Sequence, residues 1–291
     1  MPDPVILVTG ANGQLGTAIK QLSVLYPQFH YKFLVKHDLP IHQSDKVEAY
    51  FNEIQPAYCI NCAAYTAVDK AETEKELAML VNGEAVGVLA TVCKSTGTKF
   101  LHVSTDYVFD GTGTSPYQED DFTNPVNYYG VTKLQGEQLC MQYNAESIII
   151  RTSWVYATHG NNFVKTMLRL MKERDNLNVV NDQFGSPTYA ADLAGCILSV
   201  VAANEAAGKR WTPGIYHYSN EGIINWFDFA TAIGKLSGSN CQVHPVPATA
   251  YPTAARRPAY SGMSKEKIKS IYKLVIPAWE KSLALCISEL Q

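Results

Sequence analysis

The chain has 291 residues, 46% hydrophobic and 18% charged, enough apolar material for a large soluble core built as one extended domain or two. A formal net charge of -3 with no basic stripe excludes nucleic acid as a bulk electrostatic partner. Seven scattered cysteines, an odd number, point to reduced thiols and a cytoplasmic setting rather than a disulfide framework.

The opening MPDPVILVTG lacks a basic n-region and reads as a first strand, not a signal peptide. No apolar run approaches the ~20 residues of a membrane span, so no membrane partner is expected. Short, continuous apolar runs at 5–9, 31–35, 58–62, 100–104 and 147–152 predict strands buried on both faces. Helical patterns lie between them. Ala18, Ile19, Leu22 and Leu25 make one apolar face over 17–25; Asp45, with Glu48 three residues on, predicts a capping box; 74–95 reads as one long helix. Residues 110–125, rich in Gly, Thr, Asp and Pro, form a loop. Beyond Arg151 helices are expected at 162–172, 189–203, 226–236 and 277–290, with short strands around Val179 and over 215–219. The proline-dense stretch 244–258 predicts a long loop or arm.

This alternation specifies an α/β fold: a Rossmann-like, doubly wound parallel sheet with a smaller, mixed C-terminal substrate-binding domain. The expected boundaries are 1–155 for the dinucleotide-binding part, with 177–204 returning to it, and 156–176 plus 205–291 for the rest. Cys59 and Cys62 have redox spacing. On a strand, however, residues three apart point to opposite faces, and neither a second pair nor histidine ligands accompany them. No metal is expected.

Gly10, Gly13 and Gly16 follow a strand and open a helix, the context that gives a glycine fingerprint meaning. Gly10 permits the tight turn, Gly13 lets backbone N–H groups approach a pyrophosphate, and Gly16 allows helix to pack on strand. The anion would lie at the positive end of the helix. The second strand ends Val35-Lys36-His37-Asp38. Lys36 and His37 suit a 2′-phosphate, so NADPH is the expected cofactor and NADH the alternative.

Tyr129 and Lys133 are four apart at a helix start and project from one face. A free tyrosine, with a pKa of ~10, is a poor acid near neutrality; a neighbouring ammonium and an oxidised nicotinamide would lower it. Lys133 would also bond the nicotinamide ribose. Thr105 ends the fourth strand, where its hydroxyl would hold a carbonyl oxygen. Tyr128 is the competing acid, but its i+4 partner is Thr132, which carries no charge. The bland alternative is a surface tyrosine beside a Lys133–Glu137 pair.

Nearly the whole chain resembles the dTDP-4-dehydrorhamnose reductase family of extended short-chain reductases. The likeness runs through NCAAYTAVDKAE, HVSTDYVFDG, NPVNYYGVTKLQGE, RTSWVYATHGNNFVKTMLRL, NDQFGSPTYAADLA and YPTAARRPAYS. The resemblance implies that Gly13, Gln14 and Leu15 touch the cofactor pyrophosphate and that Ala64, Tyr65 and Thr66 lie along the cofactor. It further implies that Thr105 and Asp106 contact the sugar, that Tyr129 donates the proton and that Trp154 packs on the substrate. The implied reaction is reduction of the C4 ketone of dTDP-4-dehydro-β-L-rhamnose, in service of surface polysaccharide. A second anion, the sugar-nucleotide diphosphate, would fall to Arg257 in the arm and Asn162 at a helix start.

Two positions depart from relatives. Pro40-Ile41 stands where some carry an Asp-aromatic pair near the adenine. Ala18 stands where relatives with a Mg²⁺-bridged dimer carry Glu, so the expectation is a monomer or homodimer without that bridge. Two rivals share the fold. A 4,6-dehydratase or epimerase is one, but dehydratases read Thr-Asp-Glu where this chain has Thr105-Asp106-Tyr107. The other is a non-catalytic regulatory subunit.

Overall fold

The structure is a computed structural model that describes residues 3–206 and 211–291. Strands β1 (Val5–Thr9), β2 (His30–Leu34), β3 (Tyr58–Asn61), β4 (Lys99–Thr105) and β5 (Ile148–Thr152) join Gly214–Tyr218 in one sheet. Its order is Gly214–Tyr218, β5, β4, β3, β1, β2, and every pairing is parallel. The helices are α1 (Gln14–Leu22), α2 (Ser44–Ile54), α3 (Lys75–Met79), α4 (Ala85–Thr96), α5 (Tyr128–Tyr143), α6 (Phe163–Glu173), α7 (Ala190–Glu205), α8 (Trp226–Ser237), α9 (Glu266–Tyr272) and α10 (Trp279–Leu290).

Strand alternation sorts the core into two layers. Ile6, Val8, Tyr58, Ile60, Ile148 and Ile150 face α1, α7 and α9, while Leu7, Cys59 and Ile149 face α2, α4 and α5. Both sides are covered at β1, β3, β4 and β5, as their apolar runs predict; the edge strand β2 departs from that expectation, with His30 and Lys32 exposed. Cys59 and Cys62 fall on opposite layers, as strand geometry requires. A separate core holds α6, α8 and α10 around Tyr156, Val164, Phe229 and Leu283. Chain order reverses about β1, whose neighbours are β2 and β3, so a crevice opens at the carboxyl ends of β1 and β3.

Several local expectations change. The run 74–95 is α3 and α4 joined by a π turn at Leu80–Glu84, where Asn82 turns its side chain toward the loop after β3. By length and composition Lys75–Thr96 is apolar enough to cross a bilayer, yet Ala78, Val86, Leu89, Ala90 and Cys93 are buried within the protein. The capping box at Asp45 does not form. Helix α2 starts one residue earlier, its N-cap Gln43 makes no side-chain cap, and Glu48 is taken by the Ser44 hydroxyl at 3.0 Å.

The arm 244–258 begins as a strand, Gln242–Val246, paired parallel to Asn176–Val180. Two boundaries move with these pairings. Residues 176–180 belong to the second core and only α7 returns to the main sheet, whereas Gly214–Tyr218 and α9 leave the expected 205–291 segment to join it. Parallel pairing is non-local, so a sequence does not show which sheet a short C-terminal strand will complete.

Candidate active site

The carboxyl end of β1 runs into a turn closed by Gly13 N–H donating to Gly10 O at 3.0 Å. Gly10 takes a φ of +66°, and a Cβ there would lie 2.6 Å from Ala63 N. At Gly16 a Cβ would lie 2.4 Å from Gly10 O, so that glycine serves packing. Gly13 differs: its nearest neighbour would be Gly10 O at 3.3 Å and its φ is an ordinary -78°. A side chain at Gly13 would need a shift of only a few tenths of an ångström, far less than at Gly10 or Gly16. Gly13 caps α1 without a side-chain bond, leaving first-turn N–H groups for an anion. This cradle fits a dinucleotide pyrophosphate. Leu15 is buried in the core and offers only its backbone.

The other proposed cofactor residues gather around this turn. Ala11 N–H donates to Leu34 O at 3.1 Å, which ties the end of β2 to the turn and sets exposed Lys36 and His37 beside it. His37 meets Asp38 at 3.1 Å. Ala64, Tyr65 and Thr66 follow β3, and their loop is held by Asn82: Tyr65 N–H donates to Asn82 Oδ1 (2.8 Å), and Asn82 Nδ2 donates to Tyr65 O (3.0 Å) and Thr132 Oγ1 (3.1 Å).

Helix α5 is capped by Asn127, whose Oδ1 accepts from Gly130 N–H at 2.8 Å. Its first turn presses on the end of β4 so closely that a Cβ on Gly130 would lie 2.2 Å from Tyr107 O. That approach brings Tyr129 beside Thr105, with Tyr107 edge-on at 5.7 Å; the Thr105 hydroxyl itself donates to Asp106 Oδ1 at 3.0 Å. Lys133 is 2% exposed and Glu137 is bound to Arg151 at 2.7 Å, so the surface-pair alternative fails. Lys133 Nζ donates to Val103 O at 2.7 Å and stands 3.3 Å from His102 Nε2.

The tyrosine's acidity departs from expectation. Burial pushes Tyr129 up to about 12; the neighbouring Thr105 hydroxyl opposes this, while the Asp106 charge adds to it. The expected lowering by Lys133 is absent because that amine is turned to β4. Burial pushes Lys133 down to about 8, with Glu137 opposing. Asp106 is raised to about 6 by burial, against nearby Ser261 and the Thr105 hydroxyl, which donates to its Oδ1 at 3.0 Å; its Oδ2 lacks a hydrogen-bond partner among the described residues.

Trp154 follows β5 with a φ of +47° and stacks on Trp226 at 3.5 Å. The diphosphate candidates do not converge. Asn162 caps α6, accepting from Lys165 N–H at 3.1 Å, and its Nδ2 donates to Gln14 Oε1 at 2.9 Å. It therefore adjoins the first βα turn, contrary to its expected distance from it. Arg257 was expected to stand without a partner acid. Instead it makes a forked pair with Asp69 at 2.6 and 2.7 Å, beside Tyr107.

A family model described as "RmlD substrate binding domain" matches residues 4–291. The dTDP-4-dehydrorhamnose reductase of Burkholderia thailandensis is 41% identical, over 98% of each chain. The chain belongs to the dTDP-4-dehydrorhamnose reductase family. The spore coat polysaccharide biosynthesis protein SpsK of Bacillus subtilis is 43% identical over 91% of this chain and 90% of that protein. A crystal structure of dTDP-4-dehydrorhamnose reductase from Bacillus anthracis in complex with NADP is 37% identical and superposes with a TM-score of 0.93 over 99% of each chain.

The reading of the sequence missed Asn82, His102, Asp69, Ser261 and Trp226. Each acts through a partner distant in sequence. Asn82 alone announced itself, as an amide beside the apolar run 77–81 in a helix with a mostly aliphatic face.

Proposed function

We propose that this reductase uses NADPH to reduce the C4 ketone of dTDP-4-dehydro-β-L-rhamnose, giving dTDP-β-L-rhamnose for surface polysaccharide, and that it works in the cytoplasm as a monomer or homodimer. The observation that carries the reading is the packing of the first turn of α5, from Tyr129 to Lys133, on the carboxyl end of β4 at Thr105, in a chain that carries the glycine turn after β1 and matches its family model over residues 4–291. Bound NADPH supplies a hydride to C4.

The turn at Gly10, Gly13 and Gly16 would hold the pyrophosphate, with Gln14, the Leu15 backbone and the loop Ala64–Tyr65–Thr66 along the cofactor. Tyr129 would deliver its phenolic proton to the ketone oxygen as C4 becomes a secondary alcohol. Thr105, turning its hydroxyl proton from Asp106 Oδ1, would donate to the same oxygen. Asp106, through its unpartnered Oδ2, would accept from a neighbouring sugar hydroxyl, and Trp154 on Trp226 would give the sugar an aromatic wall. Lys133, turning from Val103 O when the cofactor binds, would hold the nicotinamide ribose and lend the phenolate its charge.

Arg257 would release Asp69 for the substrate diphosphate, whose paired charges compete for the same planar fork. The dehydratase rival lacks its acid at Tyr107 and finds no support in the family. The test is turnover: purified protein should oxidise NADPH only when given the 4-dehydro sugar nucleotide, forming dTDP-β-L-rhamnose. No oxidation by folded protein that binds NADPH would favour the regulatory subunit instead.

A further inference from the structure

Behind Lys133 runs a buried polar chain that the reaction as described leaves unused. Thr9 ends β1, Asn61 ends β3 and His102 lies on β4; Thr9 is register partner to Asn61, and Asn61 to His102. All three are at most 1% exposed. Thr9 Oγ1 donates to Asn61 Oδ1 at 2.6 Å, Asn61 Nδ2 lies 3.0 Å from His102 Nδ1, and His102 Nε2 lies 3.3 Å from Lys133 Nζ.

The donors fix the protons. Ala63 N–H, which can only donate, reaches Asn61 Oδ1 at 3.2 Å, so that atom is the amide oxygen. The amide nitrogen therefore faces His102 and donates, and Nδ1 accepts. A neutral imidazole accepting at Nδ1 carries its hydrogen on Nε2, aimed at Lys133. His102 is neutral, since burial and then the Lys133 charge hold it well below the usual histidine range. An Nε2–H meets an accepting lone pair only when Lys133 is an amine; it meets an ammonium as a second donor.

We propose that His102, locked by Asn61 as its Nε2–H tautomer, is a positioning residue that eases the Lys133 ammonium toward deprotonation and so sets the alkaline limb of the reductase's pH profile. The proposal rests on the reading of Tyr129 and Lys133 as the catalytic pair. The other groups facing Lys133 are Cys62 after β3 and, on its own helix, Glu137 and Cys140, with Glu137 bound to Arg151 of β5. Among these only His102 presents its amine with a fixed N–H. The active form is the ammonium, so kcat/KM falls as pH rises through the Lys133 pKa.

Asn61→Asp tests the lock. A carboxylate keeps the bonds from Thr9 and Ala63 but accepts from Nδ1–H, reversing the tautomer and turning Nε2 into an acceptor for the ammonium. The limb should then move up by about one pH unit or more, measured as kcat/KM over about pH 6 to 10. Nitrogen-15 NMR of histidine-labelled protein without cofactor reads the tautomer directly: His102 should be Nε2–H in the wild type and Nδ1–H in Asn61→Asp. His102→Gln, whose side-chain oxygen can accept from the ammonium, should also raise the limb and serves if Asn61→Asp does not fold. A wild-type Nδ1–H signal overturns the proposal. So does a limb unmoved in the variants of an enzyme that Lys133→Met inactivates. A Lys133→Met enzyme with near wild-type turnover overturns the catalytic pair itself, and the proposal with it.

Discussion

Gly13→Ala separates what the fold needs from what the ligand needs. Its Cβ would meet Gly10 O at 3.3 Å, a contact that a shift of a few tenths of an ångström relieves, and φ -78° suits alanine. Alanine is a worse N-cap than glycine by up to about 1 kcal/mol, and the loss of unfolded-chain freedom returns about 0.4–1 kcal/mol. Stability should therefore change by less than about 1 kcal/mol, a shift in Tm of at most about 4 °C. The methyl would stand where a pyrophosphate approaches the first-turn N–H groups. Losing one charge-assisted hydrogen bond costs about 1.5–3 kcal/mol, which raises the Kd for NADPH about 10- to 100-fold. Calorimetric titration of NADPH and a thermal melt of the same preparation measure both quantities. Gly16→Ala is the contrasting control: a Cβ 2.4 Å from Gly10 O forces backbone to move and should cost about 2 kcal/mol or more before any ligand is added. A folded Gly13→Ala protein with wild-type affinity for NADPH would refute the placement of the pyrophosphate. A large loss of stability would refute the claim that the position is free.

Tyr129→Phe keeps the ring but removes the proton, so kcat should fall about 10²-fold or more with folding intact, while Tyr128→Phe stays near wild type; the reverse pattern would move the acid by one residue. Asp106, raised to about 6, should give kcat/KM an acidic limb: below that pH it is protonated and no longer accepts from the sugar, and Asp106→Asn should abolish the limb. Stability runs the other way, because a raised carboxyl contributes fully below about 4 and loses that contribution as pH rises through about 6, which melts from about pH 4 to 7 would follow. Arg257→Ala should raise KM for the sugar nucleotide and leave the Kd for NADPH unchanged, since the lost contact is to a non-reacting group; an effect confined to NADPH would place the diphosphate elsewhere. NADPH should bind more tightly than NADH by calorimetry, and equal affinities would remove Lys36 and His37 from the cofactor site.

Contiguous chemistry was legible in the amino-acid order. The turn from Gly10 to Gly16, the first five strands and the four-residue step from Tyr129 to Lys133 each depend on local geometry, with periods of two and 3.6 that a sequence states directly. The π turn at Leu80–Glu84, by contrast, depends on Asn82 meeting Tyr65 and Thr132. The sixth place in the sheet went to Gly214–Tyr218 because β5 offered a free parallel edge, which nothing near residue 214 announces. Charge states were decided the same way. Lys133 and Tyr129 read as a cooperating pair in sequence, but burial raises one and depresses the other, and β4 turns the amine toward His102. Arg257 read as a free cation until the fold set it against Asp69, 188 residues away. Desolvation and pairing are properties of the packed interior, where partners distant along the chain become neighbours, so only tertiary structure settles them.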